Sequence, residues 1–280
     1  MSRVTNQAIL AKLGEWREKD TSLPQYLIVY SQLLQKEVEV ESSLTAVEPH
    51  LTSEEADQRI RQGQSLLDFD QIAIDWKILD DHYRAIIEVV DANLASENEE
   101  SRGLKHVGNN PALLHQIVED WYKEVPLSSI AIEECISEQL LNATLQAAMK
   151  PFLTVHAEAL VGLIKHEIWR RRYCPVCHGK PDFAYLDKER AARWLVCSRC
   201  DTEWLYQRLE CPHCGTQEQG RLSYLTDETE LYRVYVCDNC HKYIKAIDLR
   251  RTEEAVLLPL ERIMTLDLDR QADEAGYRPG

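Results

Sequence analysis

The strongest constraint on this chain is a series of paired cysteines between residues 174 and 240. Four CxxC pairs, Cys174/Cys177, Cys197/Cys200, Cys211/Cys214 and Cys237/Cys240, take eight of the nine cysteines. A CxxC turn sets two thiolates at the separation a tetrahedral ion needs and leaves two corners for a second turn. Four turns therefore make two four-sulfur sites. An internal repeat sets their pairing, because residues 174–177 align with 211–214 and residues 194–200 with 234–240. The interval is 19 residues between Cys177 and Cys197 and 22 between Cys214 and Cys237, close to the usual spacing around one metal. Each unit reads as a knuckle, a short hairpin, a second knuckle and a closing strand. Phe183, Tyr185, Trp194 and Val196 fill the strands of the first, and Leu222, Tyr224, Tyr232, Val234 and Val236 those of the second. A ribbon this small lacks a core of its own and typically needs metal to fold. A closed four-sulfur site has no open position for water, which argues against hydrolytic catalysis. Sulfur donors suit zinc and iron alike; iron would make each unit rubredoxin-like and redox-capable. The close-packed cysteine run of iron–sulfur ferredoxins is absent.

Composition narrows the setting. Residues 1–7 start no secretory segment, so a cytoplasmic location with reduced thiols is expected, and metal rather than disulfides. No run of about 18 apolar residues occurs, so no membrane insertion is expected. The net charge of -15 argues against nucleic acid as a partner. Arg190, Arg193, Arg199, Arg208 and Lys242 give the ribbons local positive charge, so a nucleic-acid-binding zinc ribbon stands as an alternative.

The fold class expected is α+β: an all-helical domain over residues 1–172, then two tandem ribbon modules with short antiparallel strands at 173–209 and 210–249. A tail at 250–280 carries too many apolar residues to stay exposed and should pack back on the body, with residues 276–280 mobile. In the helical part, Tyr26, Val29, Tyr30, Leu33, Leu34 and Val38 mark one amphipathic face. Thr52 and Glu55 have the spacing of a capping box, and a helix is expected over about 72–94. The polar stretches at 96–103 and 108–111 read as one exposed loop. Pro126 should open a helix with Ile132, Cys135, Ile136, Leu140, Ala143 and Ala147 inward, leaving Cys135 a buried, inert thiol. Pro151 should start the last helix, with His156 a satisfied core histidine. The basic run Arg170, Arg171 and Arg172 sits where that helix meets the first knuckle. No phosphate-binding glycine loop, no nucleophile elbow and no catalytic carboxylate pair is present, so no enzymatic activity is expected.

Around the knuckles, residues 172–177, 193–204, 208–215 and 237–245, with 265–268 and 274–277 in the tail, resemble the formate dehydrogenase accessory proteins of the FdhE type. The C-terminal third carries the resemblance, and the helical half matches in length and class. His178 follows Cys177 where that family usually has Gly. The resemblance implies a cytoplasmic, non-enzymatic factor needed for active formate dehydrogenase, with that enzyme's catalytic subunit as partner. It also implies two metal ions, iron in rubredoxin-like sites or zinc, held by the eight paired cysteines. A rubredoxin-like electron carrier is the other alternative.

Overall fold

The computed structural model describes residues 5–19, 23–93, 98–226 and 229–280. The chain divides into two compact units, Met1–Val47 with Asp68–His156, and Glu48–Leu67 with Ala157–Gly280.

The first unit is helical. Its elements are α1 (Asn6–Lys19) and α2 (Gln25–Glu41) and, beyond α3 (Ser53–Gln62) of the second unit, α4 (Trp76–Asn93), α5 (Glu99–Gly108), α6 (Pro111–Tyr122), α7 (Ser128–Glu133) and α8 (Glu138–Leu160). The buried stripe of α2 runs through Leu27, Leu34 and Val40, turned slightly from the face expected, and Tyr26 lies at the surface. The expected helix over about 72–94 begins only at Trp76, because the Asp75 carboxylate accepts from the backbone N–H groups of Lys77 and Ile78. Leu94 lies outside the described residues.

Three sequence expectations are corrected here. The loop expected over 96–111 contains α5; residues 96 and 97 lie outside the described residues. Asn98 caps α5 by accepting from the Ser101 N–H at 2.9 Å, and Leu104 and Val107 are buried. Gly103, read as a break, is a packing residue: a Cβ there would lie 2.0 Å from the Glu134 carbonyl oxygen. The helix expected from Pro126 is instead split. α7 ends at Glu133, Cys135 takes φ +56 and is exposed, Ile132 is exposed, and Leu141, Leu145, Ala148 and Met149 form the buried face. Pro151 does not start a helix but lies within the 23-residue α8.

A proline at that position leaves the Ala147 carbonyl without its helical donor. Buried His82 on α4 lies beside that carbonyl, whose negative end favours the protonated ring, while its Nε2 has no hydrogen-bond partner among the described residues. Burial pushes the His82 pKa down to about 4, so the imidazole is neutral at pH 7. His156 is the satisfied core histidine expected. It is buried, with Nδ1 2.9 Å from the Phe152 carbonyl and Nε2 accepting from the Ala73 N–H at 3.2 Å.

The second unit opens with α3, whose capping box forms as read: Thr52 Oγ1 accepts from Glu55 N–H and Glu55 Oε2 from Thr52 N–H. Residues 48–67, taken from the sequence as part of the helical domain, thus lie in this unit. The strands are β1 (Pro181–Leu186), β2 (Arg193–Cys197), β3 (Glu203–Tyr206), β4 (Leu222–Thr226), β5 (Tyr232–Cys237), β6 (Lys242–Asp248) and β7 (Arg278–Pro279). Each ribbon contributes an antiparallel set, β1–β2–β3 and β4–β5–β6. The two sets join edge to edge through a parallel β1–β6 pairing that sets Phe183 against Lys245 and Leu186 against Asp248. One sheet of order β3-β2-β1-β6-β5-β4 results, with β7 added to β6.

Phe183, Tyr185, Val196, Ile247, Leu249 and Leu258 share one core, so residues of both ribbons and of the tail bury one another. Each such side chain contributes about 1.5–3 kcal/mol when fully buried. The tail forms α9 (Leu258–Met264) and α10 (Leu266–Glu274). Ala272 and Leu268 of α10 cover Val234, Val236 and Tyr243. The expected mobile end is corrected too: Arg278 pairs with Lys242, its N–H reaching the His241 carbonyl at 2.9 Å.

Candidate metal centres

Each CxxC forms the same turn. The residue after its second cysteine is left-handed in all four: His178 (φ +63), Asp201 (φ +54), Gly215 (φ +78) and His241 (φ +52). That backbone reversal returns an N–H to the first cysteine's carbonyl, from His178 to Cys174, Asp201 to Cys197, Gly215 to Cys211 and His241 to Cys237. It also turns N–H groups toward sulfur. Val176 N–H lies 3.3 Å from Cys174 Sγ, Arg199 N–H 3.4 Å from Cys197 Sγ, and His213 N–H 3.4 Å from Cys211 Sγ. Such donors favour the thiolate form.

The structure brings Cys174, Cys177, Cys197 and Cys200 into one cluster and Cys211, Cys214, Cys237 and Cys240 into another. Within each, all sulfurs lie within 4.8 Å of one another. Contacts are 3.7 Å for Cys174–Cys200, 3.5 Å for Cys177–Cys197, 3.4 Å for Cys177–Cys200, 3.8 Å for Cys211–Cys240 and 3.7 Å for Cys214–Cys237. A disulfide would need about 2.05 Å. A tetrahedron of sulfurs about 2.3 Å from a central ion has edges of about 3.8 Å. The sulfur sets fit a four-coordinate soft ion. Without a cation, burial pushes the Cys174 and Cys197 thiols well up, so a neutralising charge is what lets these sulfurs ionise.

Surroundings differ between the clusters. All four cysteines of the first are buried. Its knuckle is gripped from remote parts of the chain. Ser65 Oγ donates to the Cys174 carbonyl at 3.0 Å, and Leu66 and Leu67 N–H groups reach the Pro175 and Val176 carbonyls at 2.8 and 2.9 Å. Arg262 of α9 reaches the Cys197 carbonyl at 3.3 Å and pairs with Asp201 at 3.0 Å. Thr202 Oγ1 lies 3.1 Å from Cys200 Sγ. His178 tolerates its left-handed backbone with its ring centred 4.1 Å from that of Tyr173, tilted by 31°, and its Nδ1 3.3 Å from Ser65 Oγ. The steric demand for glycine falls one residue later, since a Cβ on Gly179 would lie 2.9 Å from Cys197 Sγ.

In the second cluster Cys214 and Cys240 are only half-buried. Asn239 donates to Cys214 Sγ at 3.5 Å, and Arg172 to the His213 carbonyl at 2.8 Å. Burial lowers the His213 pKa to about 4; its Nε2 is 3.0 Å from the Tyr243 carbonyl. Sequence reading found all eight cysteines and set Arg172 beside the first knuckle, but it missed Ser65, Arg262, Thr202 and Asn239. None of these has a spacing signal except Thr202 and Asn239, which sit beside cysteines. Cys135, the ninth cysteine, belongs to neither cluster.

Fold and clusters define a class: an α+β protein with a helical unit and a zinc-ribbon-like unit carrying two four-cysteine sets. Comparison with known proteins then gives the particular relation. Residues 173–208 match the family model "FdhE, central domain". The chain is 38% identical over 155 residues to the Protein FdhE homolog of Aquifex aeolicus, covering 54% of each chain. It is 31% identical over 112 residues to Protein FdhE of Escherichia coli O1:K1, covering 39% of this chain and 35% of that one. The chain thus spans about half or less of the length of these curated relatives. In fold it is similar to the crystal structure of the FdhE protein from Pseudomonas aeruginosa, with a TM-score of 0.59 and 24% identity over 96% of this chain and 90% of the other. The resemblance to FdhE-type formate dehydrogenase accessory proteins read from the sequence is borne out. No helix among the described residues is long and apolar enough to cross a membrane.

Proposed function

We propose that this chain is a cytoplasmic accessory factor for formate dehydrogenase that binds the enzyme's catalytic subunit during its maturation and catalyses no reaction itself. The observation carrying this reading is the pair of four-sulfur clusters, one lying wholly within the segment similar to the FdhE central domain and the other starting just beyond it. Cys174, Cys177, Cys197 and Cys200 would hold one ion, and Cys211, Cys214, Cys237 and Cys240 the other. Four sulfurs fill a tetrahedral ion's positions and leave none for a reacting water. Iron or zinc suits the donor set; iron would supply one-electron chemistry, zinc a fixed shape. Modules 173–209 and 210–249 each hold one centre, and residues 250–280 clamp them.

The test is purification under anaerobic conditions from cells making formate dehydrogenase. The reading expects two equivalents of metal per chain and co-purification of the catalytic subunit. Loss of co-purification in the chain with all eight cysteines changed to serine supports a role for the centres. Unchanged formate oxidation in cells lacking this chain would refute the accessory role. Half-exposure of Cys214 and Cys240 favours a second reading, a rubredoxin-like electron carrier. A red protein that bleaches reversibly on reduction supports it, and a colourless zinc protein refutes it.

A further inference from the structure

We infer that the two centres divide their labour: the second, at Cys214 and Cys240, is the exchangeable one, and the first is a permanent structural tie. This rests on the reading of both cysteine clusters as metal centres. Sequence repeat makes the two knuckle pairs near copies, but the fold puts them in different surroundings.

At the first cluster every sulfur is buried, and the carbonyls of Cys174, Pro175, Val176 and Cys197 are bonded by Ser65, Leu66, Leu67 and Arg262. Moving Cys174 or Cys197 away from an ion requires breaking hydrogen bonds to segments about a hundred residues earlier or about sixty later in the chain. At the second cluster, Cys211 and Cys237 are buried while Cys214 and Cys240 meet solvent. The groups beside them are themselves exposed: Asp238, Asn239 and His241 lie at the surface. A small cavity is lined by the other two cysteines, Cys211 and Cys237, with Arg193, Arg208 and Lys242 and one carboxylate, Glu210, among its walls. Three cations against one carboxylate leave the cavity net positive, which favours an anionic donor next to the centre.

An incoming thiolate or anionic chelator can therefore bind as the Cys214 or Cys240 thiolate leaves. This is ligand exchange with no change in oxidation state, and the released sulfur takes its proton from water. Partly exposed sulfurs exchange and react, whereas buried ones stay inert. Asn239 restrains this exchange by its hydrogen bond to Cys214 Sγ.

The test uses the full chain loaded with zinc alone and challenged with the chelator 4-(2-pyridylazo)resorcinol. Two phases are expected, one equivalent leaving at least about tenfold faster than the other. N-ethylmaleimide added after the fast phase should label Cys211, Cys214, Cys237 and Cys240 and spare Cys174, Cys177, Cys197 and Cys200, read by peptide mass spectrometry. Asn239→Ala should quicken the fast phase and leave the slow one unchanged. Single-phase release of both equivalents, or early labelling of the first quartet, overturns the assignment. Uptake of fewer than two equivalents overturns the two-centre reading, and this assignment with it.

Discussion

The coupling of His82 to Pro151 gives the sharpest test of the helical unit. Pro151 carries no N–H, so the Ala147 carbonyl lacks its helical donor, and the His82 ring is a polar group beside it. In His82→Leu that carbonyl loses its polar neighbour, at a cost of about 1–3 kcal/mol. In Pro151→Ala the helix supplies its own N–H to Ala147, and the loss of His82 should then cost about 1 kcal/mol less or better. A double-mutant cycle followed by urea unfolding measures this difference directly. Acid gives an independent readout. Burial lowers the His82 pKa from 6.5 to about 4, so the unfolded chain binds the proton more tightly than the folded one. Stability from neutral His82 is fully present above pH 6.5 and is lost as pH falls toward 4, by up to about 3 kcal/mol. His82→Leu should flatten that part of the pH curve. Equal costs of His82→Leu with and without Pro151, or an unchanged acid slope, would refute the reasoning.

Other outcomes follow from the ribbon unit. Gly179→Ala should lower metal content by one equivalent of two, measured by elemental analysis, because its Cβ would press on Cys197 Sγ and leave the second cluster untouched. Asp248→Ala should destabilise by about 3–5 kcal/mol, since it strands the buried Arg233 that pairs with it at 2.8 Å. Desolvation raises the Asp248 pKa, but Arg250 more than offsets this and holds it below the usual carboxylate range. Its stabilisation should thus persist above about pH 4 and fade only below, in acid unfolding followed by tryptophan fluorescence. Phe183→Ala should cost about 3–5 kcal/mol by opening a cavity in the core that both ribbons share, read as a lowered urea midpoint.

Chain order alone determined the two four-sulfur clusters, because a CxxC turn is a local device and its repeat names its own partner. The ribbons' hairpins and the Thr52 capping box were legible for the same reason: each depends on residues close together in sequence. Gly103 and Pro151 misled because their chemistry has two uses. A glycine breaks a helix or lets a neighbour approach, and a proline ends a helix or is tolerated where a polar side chain faces the freed carbonyl. Only tertiary structure chose between these, by placing Glu134 against Gly103 and His82 against Ala147. It also decided the parallel β1–β6 seam that merges two ribbons into one sheet, and the placing of Ser65 and Arg262 at one cluster and solvent at the other. These are encounters between residues far apart in sequence, fixed by which apolar faces bury together, and no local spacing encodes them.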